Sequence, residues 1–142
     1  MMLLEPVGKL PDPAMLAGFV PCKAEDAVAR QLLRPCFPAD REALLLLAFD
    51  GFGRLVATQR ADGDATGRCS IPAQCWRALL DRNVASVLMA HNHPSGLAWP
   101  SEADIACTRA AALFLHPLGI DLADHLIFVQ SGHFSFRNAC LM

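Results

Sequence analysis

The alternation of apolar and polar positions along the chain predicts where its helices and strands lie. A helical pattern covers residues 23–34 and ends at Pro35, and a continuous apolar run follows over 44–49. That run, a turn at 50–53 and the apolar residues 55–58 indicate a hairpin. Because its first strand is apolar at every position, we expect that strand to be buried on both faces of a sheet.

Strands and helices continue to alternate in the second half of the chain. We expect a helix over 72–81, a short buried strand over 84–90 and a longer helix over 101–115. Two further strands, over 122–129 and 134–136, are separated by a turn. This alternation, with a hairpin at either end, predicts an α/β fold in which helices cover the faces of a mixed sheet.

Proline punctuation divides the chain into an irregular N-terminal arm over residues 1–22 and a single domain over 23–142. Of the 142 residues, 54% are hydrophobic and 18% charged, so the domain can bury a core and is too apolar to be disordered. The six cysteines include no C-x-x-C pair and are expected to be reduced thiols of a cytoplasmic protein. No apolar run approaches the roughly 18 residues that cross a membrane, so no membrane association is expected.

The charge balance argues against one class of partner. The formal net charge is −2, the isoelectric point is near 6.2, and the twelve Lys and Arg residues are scattered. A protein that binds nucleic acid tightly and without sequence preference is expected to carry a basic stripe. The sequence shows no such stripe, so tight binding of this kind is not expected. The oligomeric state is left undefined by the sequence.

One stretch, HNHPSGLAWPSEAD over residues 91–104, concentrates the candidate chemistry. His91 and His93 are two positions apart, so in an extended segment their side chains project from the same face. Two neutral imidazoles and a carboxylate form a three-ligand set that suits zinc and leaves one position open for water. Seven residues follow His93, enough for the chain to turn and bring Ser101 and Asp104 back to the histidines.

Ser101 and Asp104 also have an ordinary structural interpretation. A serine followed three positions later by an acidic residue is typical of the start of a helix, where each side chain caps the other residue's backbone amide. The two interpretations are compatible, because a helix capped by Ser101 can still direct Asp104 towards a metal.

A zinc hydrolase also needs a base that takes a proton from the attacking water, since the metal lowers that water's pKa only to about 7. The chain offers several candidate carboxylates: Glu42, Asp50, Asp62, Asp64, Glu102 and Asp124. Spacing does not choose among them. Glu42 precedes the apolar run over 44–49, where it could lie near the end of the strand that carries His91. The alternative, which spacing alone favours, is a solvated charge at a strand end.

The order Glu, His-x-His, seven residues, Ser-x-x-Asp resembles the signature of the JAMM (MPN+) metalloproteases. HNHPSG and the later DHLIF resemble the RadC branch of that family. The likeness extends over roughly residues 40–138. Within it, REALLLLAFD resembles the family's glutamate and following strand, PSEADIACTRAA its helix start, and ADHLIFVQSGHFSF its closing strands.

The resemblance implies a site, a fold and an activity. It makes His91, His93 and Asp104 zinc ligands with water as the fourth. Glu42 would be the general base, and Ser101 would donate a hydrogen bond to the oxyanion. The implied fold is a three-layer α/β/α sandwich similar to that of cytidine deaminases. The implied activity is zinc-dependent cleavage of a peptide or isopeptide bond, in a protein or peptide substrate, by metal-activated water.

Two departures from the family pattern accompany the likeness. The 142 residues are too short to include the helix-hairpin-helix region of longer RadC proteins, and Pro72-Ala73-Gln74 stands where the family has Pro-Arg-Glu. Asp124 and His125 match the family's Asp-His pair, which could support the metal ligands or simply pack in the sheet. Two other functions stay open. One is a nucleic-acid role, as a metal-dependent nuclease or repair accessory, and the other is a catalytically silent binding module.

Overall fold

The computed structural model describes residues 13–62, 71–80 and 83–142 of the chain. Its strands are β1 (Phe19–Pro21), β2 (Ala43–Phe49), β3 (Leu55–Asp62), β4 (Ser86–Asn92), β5 (Asp121–Val129) and β6 (Gly132–Ser135). Its α-helices are α1 (Pro13–Ala17), α2 (Ala73–Leu79) and α3 (Glu102–Leu115). The predicted order of strands and helices after residue 40 is therefore confirmed in these ranges.

The six described strands form one mixed sheet in the order β1-β6-β5-β4-β2-β3. Neighbouring strands are antiparallel except β4 and β5, which are parallel. A parallel pair needs a crossover connection, and here α3 supplies it. Residues 93–101 connect the end of β4, in the centre of the sheet, to the start of α3.

Helices cover both faces of the sheet. On one face, Leu79 of α2 and Leu115 of α3 pack against alternate residues of the central strands, among them Met89. On the opposite face, Leu33 packs against Leu47 and its neighbours. The predicted α/β architecture with a mixed sheet between helical layers is confirmed. In the described part of the chain, no helix is both long enough and apolar enough to span a bilayer.

The segment over 1–22, expected to be irregular, contains ordered elements from Pro13 onwards. β1 pairs antiparallel with β6 and adds an edge strand to the sheet. Gly132 makes this close pairing feasible, since a Cβ atom there would lie 2.2 Å from the Val20 carbonyl oxygen. Residues 1–12 lie outside the described part.

The helix predicted over 23–34 is shorter and less regular than expected. The structure has a 3₁₀ turn at Cys22–Ala24, a π-helical segment at Val28–Leu33 and a second 3₁₀ turn at Arg34–Cys36. Pro35 lies in that last turn and, as expected, prevents an α-helix from continuing.

Candidate metal centre

The two histidines lie where β4 ends, flanked by β2 on one side and β5 on the other. His91 pairs with Leu44 of β2 and Ile127 of β5, and it is only 3% exposed. His93 follows β4 immediately, and its Nε2 atom lies 3.1 Å from His91 Nε2. The expected projection of both imidazoles from one face of the sheet is therefore what the structure has.

The start of α3 brings a carboxylate to the same point. Asp104 is 2% exposed, and its oxygens lie 3.3 Å from His91 Nε2 and 3.1 Å from His93 Nε2. Ser101 caps the helix: Asp104 N–H donates to Ser101 Oγ at 3.1 Å, and Ser101 N–H donates to Asp104 Oδ2 at 2.9 Å. Asp104 thus serves as a capping residue and faces the histidines as well, as the sequence allowed.

The hydrogen bonds of each histidine show which of its ring nitrogens is unprotonated. In both rings that nitrogen is the one that faces the Asp104 carboxylate. His93 Nδ1 lies 2.8 Å from the Leu97 carbonyl oxygen, which can only accept, so Nδ1 carries the proton. In the neutral ring, Nε2 is then unprotonated and can bind a metal.

A chain of three side chains assigns the tautomer of His91 in the same way. The Thr108 hydroxyl donates a hydrogen bond to the backbone carbonyl of Asp104 at 2.7 Å. Its oxygen therefore accepts a hydrogen bond from His125 Nδ1 at 2.6 Å. His125 Nε2 is then an acceptor, and His91 Nδ1 donates to it at 2.7 Å. The Nε2 lone pair of His91 is consequently free to bind a metal.

Burial and neighbouring groups shift the pKa values of three residues in the cluster, Asp104, His93 and His125. Burial alone would raise the pKa of Asp104, but His91 and His93, whose Nε2 atoms donate to its carboxylate when the rings are protonated, hold that pKa well below its usual range. Burial alone would lower the pKa of His93, yet hydrogen bonds to Asp104 and to the Leu97 carbonyl raise it. Complete burial keeps the pKa of His125 well below its usual value, so this ring stays neutral.

Glu42 joins the cluster from the segment just before β2, the neighbouring strand of β4. It directly precedes β2, and a carboxylate oxygen of Glu42 and a ring nitrogen each of His91 and His93 lie within 4.8 Å of one another. Glu42 is half-buried. The structure therefore brings Glu42, His91, His93 and Asp104 together from three separate segments of the chain.

The peptide groups on either side of Glu42 are held by Asn92, the residue between the two histidines. Asn92 Oδ1 accepts from Ala43 N–H at 2.8 Å, and Asn92 Nδ2 donates to the carbonyls of Pro38 and Arg41 at 2.8 and 3.0 Å. Asn92 is 5% exposed. Its side chain thus ties the segment that carries Glu42 to the strand that carries the histidines.

The separations between these donors fit a tetrahedral zinc ion. Bonds of about 2.0–2.1 Å at tetrahedral angles place neighbouring ligand atoms about 3.3 Å apart. The two Nε2 atoms lie 3.1 Å apart, His93 Nε2 lies 3.1 Å from Asp104 Oδ2, and His91 Nε2 lies 3.3 Å from the other oxygen, Oδ1. Two neutral imidazoles, a carboxylate and defined partners for both histidines form a set that could hold zinc.

The remaining sequence candidates lie in other places. Ser101 is exposed, and because its Oγ only accepts in the cap, its hydroxyl proton is available to a substrate. Asp50 accepts hydrogen bonds from Phe52 N–H and Arg54 N–H and stabilises the turn after β2. Glu102 is exposed on the first turn of α3. The side chain of Asp62 and the whole of Asp64 lie outside the described part.

Asp124 and His125, neighbours in β5, have different contacts. His125 faces the metal cluster through His91, whereas Asp124 accepts hydrogen bonds from the Ser135 hydroxyl and the Arg137 N–H at 2.6 and 3.0 Å. His125 therefore supports a candidate ligand, and Asp124 stabilises the end of the β5–β6 hairpin.

Two residues of the site, Asn92 and Thr108, had no assigned role in the sequence analysis. Asn92 alternates with the histidines and so faces the opposite side of the sheet, where the segment before β2 lies. Thr108 is four residues after Asp104 and shares its face of α3. Each periodicity was visible in the sequence, but the partner it would meet was not.

Thr108→Val is expected to weaken zinc binding by about 10–100-fold, the usual effect of losing a partner that orients a ligand. Valine keeps the shape of threonine but cannot accept the hydrogen bond from His125 Nδ1. The tautomer of His125, and through it that of His91, is then no longer fixed. The affinity should be measured by competition with a chromophoric chelator. Thr58→Val, on the exposed side of β3, is the matched control and should bind zinc as wild type does. Equal affinities in all three proteins would contradict the tautomer assignment.

Zinc affinity is expected to fall as the pH is lowered through the raised pKa of His93. Zinc binds the neutral ring, so below that pKa it must displace a proton, and the loss should approach about tenfold per pH unit. Because the pKa is raised above its ordinary value of 6.5, the loss should begin at a higher pH than for an unperturbed histidine. Dissociation constants measured between about pH 6 and about pH 8.5 test this, and a flat profile would contradict it.

The fold and the cluster together define a class of protein. A mixed sheet between helical layers, with a glutamate and two histidines gathered at the end of a central strand, is the arrangement of a JAB/MPN-type domain. The family comparison agrees, since the model of the RadC-like JAB domain matches residues 22–141. The chain belongs to the RadC-like JAB domain family.

The chain is similar to several bacterial UPF0758 proteins. It is 34% identical to one from Cupriavidus taiwanensis over 109 residues, covering 76% of this chain and 47% of that protein. A relative from Burkholderia mallei is 39% identical over 70% of this chain and 36% of its own length. A third, from Actinobacillus pleuropneumoniae, is 30% identical over 72% of this chain and 49% of its own length. The chain thus spans about a third to a half of the length of these relatives.

Proposed function

We propose that the chain is a zinc-dependent hydrolase of the JAMM type that cleaves a peptide or isopeptide bond. One observation carries the proposal: the hydrogen bonds of His91 and His93 leave both Nε2 lone pairs directed at the carboxylate of Asp104. Two neutral imidazole lone pairs and a carboxylate that face one another gain no hydrogen bond among themselves, whereas a cation between them would bind all three.

The proposal assigns His91, His93 and Asp104 as the ligands. Zinc bound there would act as a Lewis acid that polarises a carbonyl and lowers the pKa of water to about 7. Glu42, held close to the histidines, would take the proton from the attacking water and pass it to the leaving amine.

Ser101 has the separate role of stabilising charge in the transition state. Its hydroxyl is exposed beside Asp104, and its oxygen already accepts the Asp104 N–H. The hydroxyl would donate a hydrogen bond to the oxyanion that develops as the carbonyl is attacked.

The activity can be tested with an unbiased mixture of substrates. The zinc-loaded chain should be incubated with peptides of varied sequence, with a peptide joined to a lysine side chain, and with single- and double-stranded DNA, and the products identified by mass spectrometry. Cleavage of an amide bond that a chelator abolishes and zinc restores is the expected result. Cleavage of DNA alone would favour a nuclease, and no cleavage of any substrate would favour a binding module.

A further inference from the structure

A pocket of about 390 Å³ opens beside the candidate metal centre, at the end of the sheet where the central strand β4 stops. It lies between the segment before β2, the turn that follows His93, and the end of β5. His93 lines this pocket and also faces Asp104. Because His93 borders both, one bound molecule could contact the pocket and the candidate ligands together.

The floor of the pocket is aromatic. The rings of Phe37 and Phe128 lie 5.3 Å apart between centroids, with an angle of 30° between their planes. Pro38 and Ala39 continue the apolar wall, and Asn92 has both amide hydrogens and its oxygen engaged with the chain itself. The aromatic floor therefore offers an incoming group apolar contact, while uncharged polar side chains, Ser95 and Gln130, line other parts of the pocket.

Arg34, the arginine among the described lining residues, is already neutralised. Arg34 donates Nε and Nη2 to the carboxylate of Glu25, Nη1 to the Val129 carbonyl, and Nη2 also to the Gly132 carbonyl. These contacts use four of its five N–H groups. Arg34 therefore cannot present the two-pronged face that binds a carboxylate or phosphate.

We infer that this pocket receives a large uncharged side chain, aromatic or aliphatic, from a residue next to the bond that is cleaved. The inference rests on the proposed function and narrows its substrate class to peptides with such a residue at that position. An acidic residue would lose hydration on the aromatic floor without gaining an ion pair to Arg34, and glycine would leave that floor uncovered.

Internally quenched peptides that differ at a single position test the inference. For peptides with Phe or Leu next to the cleaved bond, kcat/KM should be at least about tenfold higher than for the peptide with Gly. The peptide with Asp there should have the lowest kcat/KM of the four. Equal cleavage of all four peptides would overturn the inference while leaving the proposed hydrolase activity intact.

A variant that fills the pocket provides a second test. Ala39→Trp places an indole in the wall, so kcat/KM for the Phe peptide should fall by about tenfold or more while that for the Gly peptide stays within about twofold. Ala110→Trp, on the exposed surface of α3, is the matched control and should keep the preference for Phe. An Ala39→Trp protein that retained the full preference would contradict the assignment of the pocket.

Direct binding keeps the inference testable if no peptide is cleaved. Saturation-transfer NMR should detect N-acetyl-phenylalaninamide on the wild type but not on Ala39→Trp, and should not detect N-acetyl-glycinamide on either. This result without any cleavage would support the pocket and count against the hydrolase. Equal signals from wild type and Ala39→Trp would overturn the pocket assignment.

Discussion

Glu42→Gln is expected to keep its zinc and to lose about 10²–10⁴-fold in the rate of amide cleavage. Glutamine has the size of glutamate but cannot take a proton, so the substitution removes the proposed base and leaves the ligands in place. The rate should be measured with any peptide that the wild type cleaves, and zinc should be measured in the same preparations.

The control for this variant is Glu102→Gln, which changes the same group on the exposed first turn of α3. Glu102→Gln should cleave at the wild-type rate. Loss of zinc together with activity in Glu42→Gln would instead make Glu42 a ligand, and an unchanged rate would remove it from the mechanism.

Asn92→Leu is expected to destabilise the chain by about 2–4 kcal/mol, one of the larger effects available to a single substitution. The leucine leaves Ala43 N–H and the carbonyls of Pro38 and Arg41 without their partner in a buried place. The free energy of unfolding should be measured by urea denaturation.

The matched control for Asn92 is Asn138→Leu. Asn138 is exposed, and its backbone N–H donates to Ser135 Oγ, a hydrogen bond that the substitution retains. Its cost should stay within about 0.5 kcal/mol. If both variants cost the same, the Asn92 side chain does not hold the segment that carries Glu42.

The elements that surround the site could be predicted because burial leaves a direct trace in the sequence. β2 is covered on both faces and is therefore a continuous apolar run. α3 begins with a capping box formed by Ser101 and Asp104, which are three residues apart. This local pattern is visible in the sequence and predicts the correct start of the helix. The proximity of His91, His93 and Asp104 could be predicted for the same reason, since each lies at or next to the end of a predictable element.

The rest depends on contacts between distant parts of the chain. Asn92 bonds to residues 49 to 54 positions away, and His125 reaches His91 across 34 positions. Spacing carries no record of such partners, which is why spacing alone favoured a solvated Glu42. β1 was missed because it is short, lies at the sheet edge and is fixed by its pairing with β6 rather than by its own pattern.

The central claim is that His91, His93 and Asp104 bind zinc, and bound zinc per chain measures it most directly. Wild type, Asp104→Ala and the exposed control Asp121→Ala should be dialysed without chelator and analysed for metal. We expect about one zinc per chain in wild type and in Asp121→Ala, and far less in Asp104→Ala. A wild type that holds no zinc, and takes up none when zinc is added, would contradict the account.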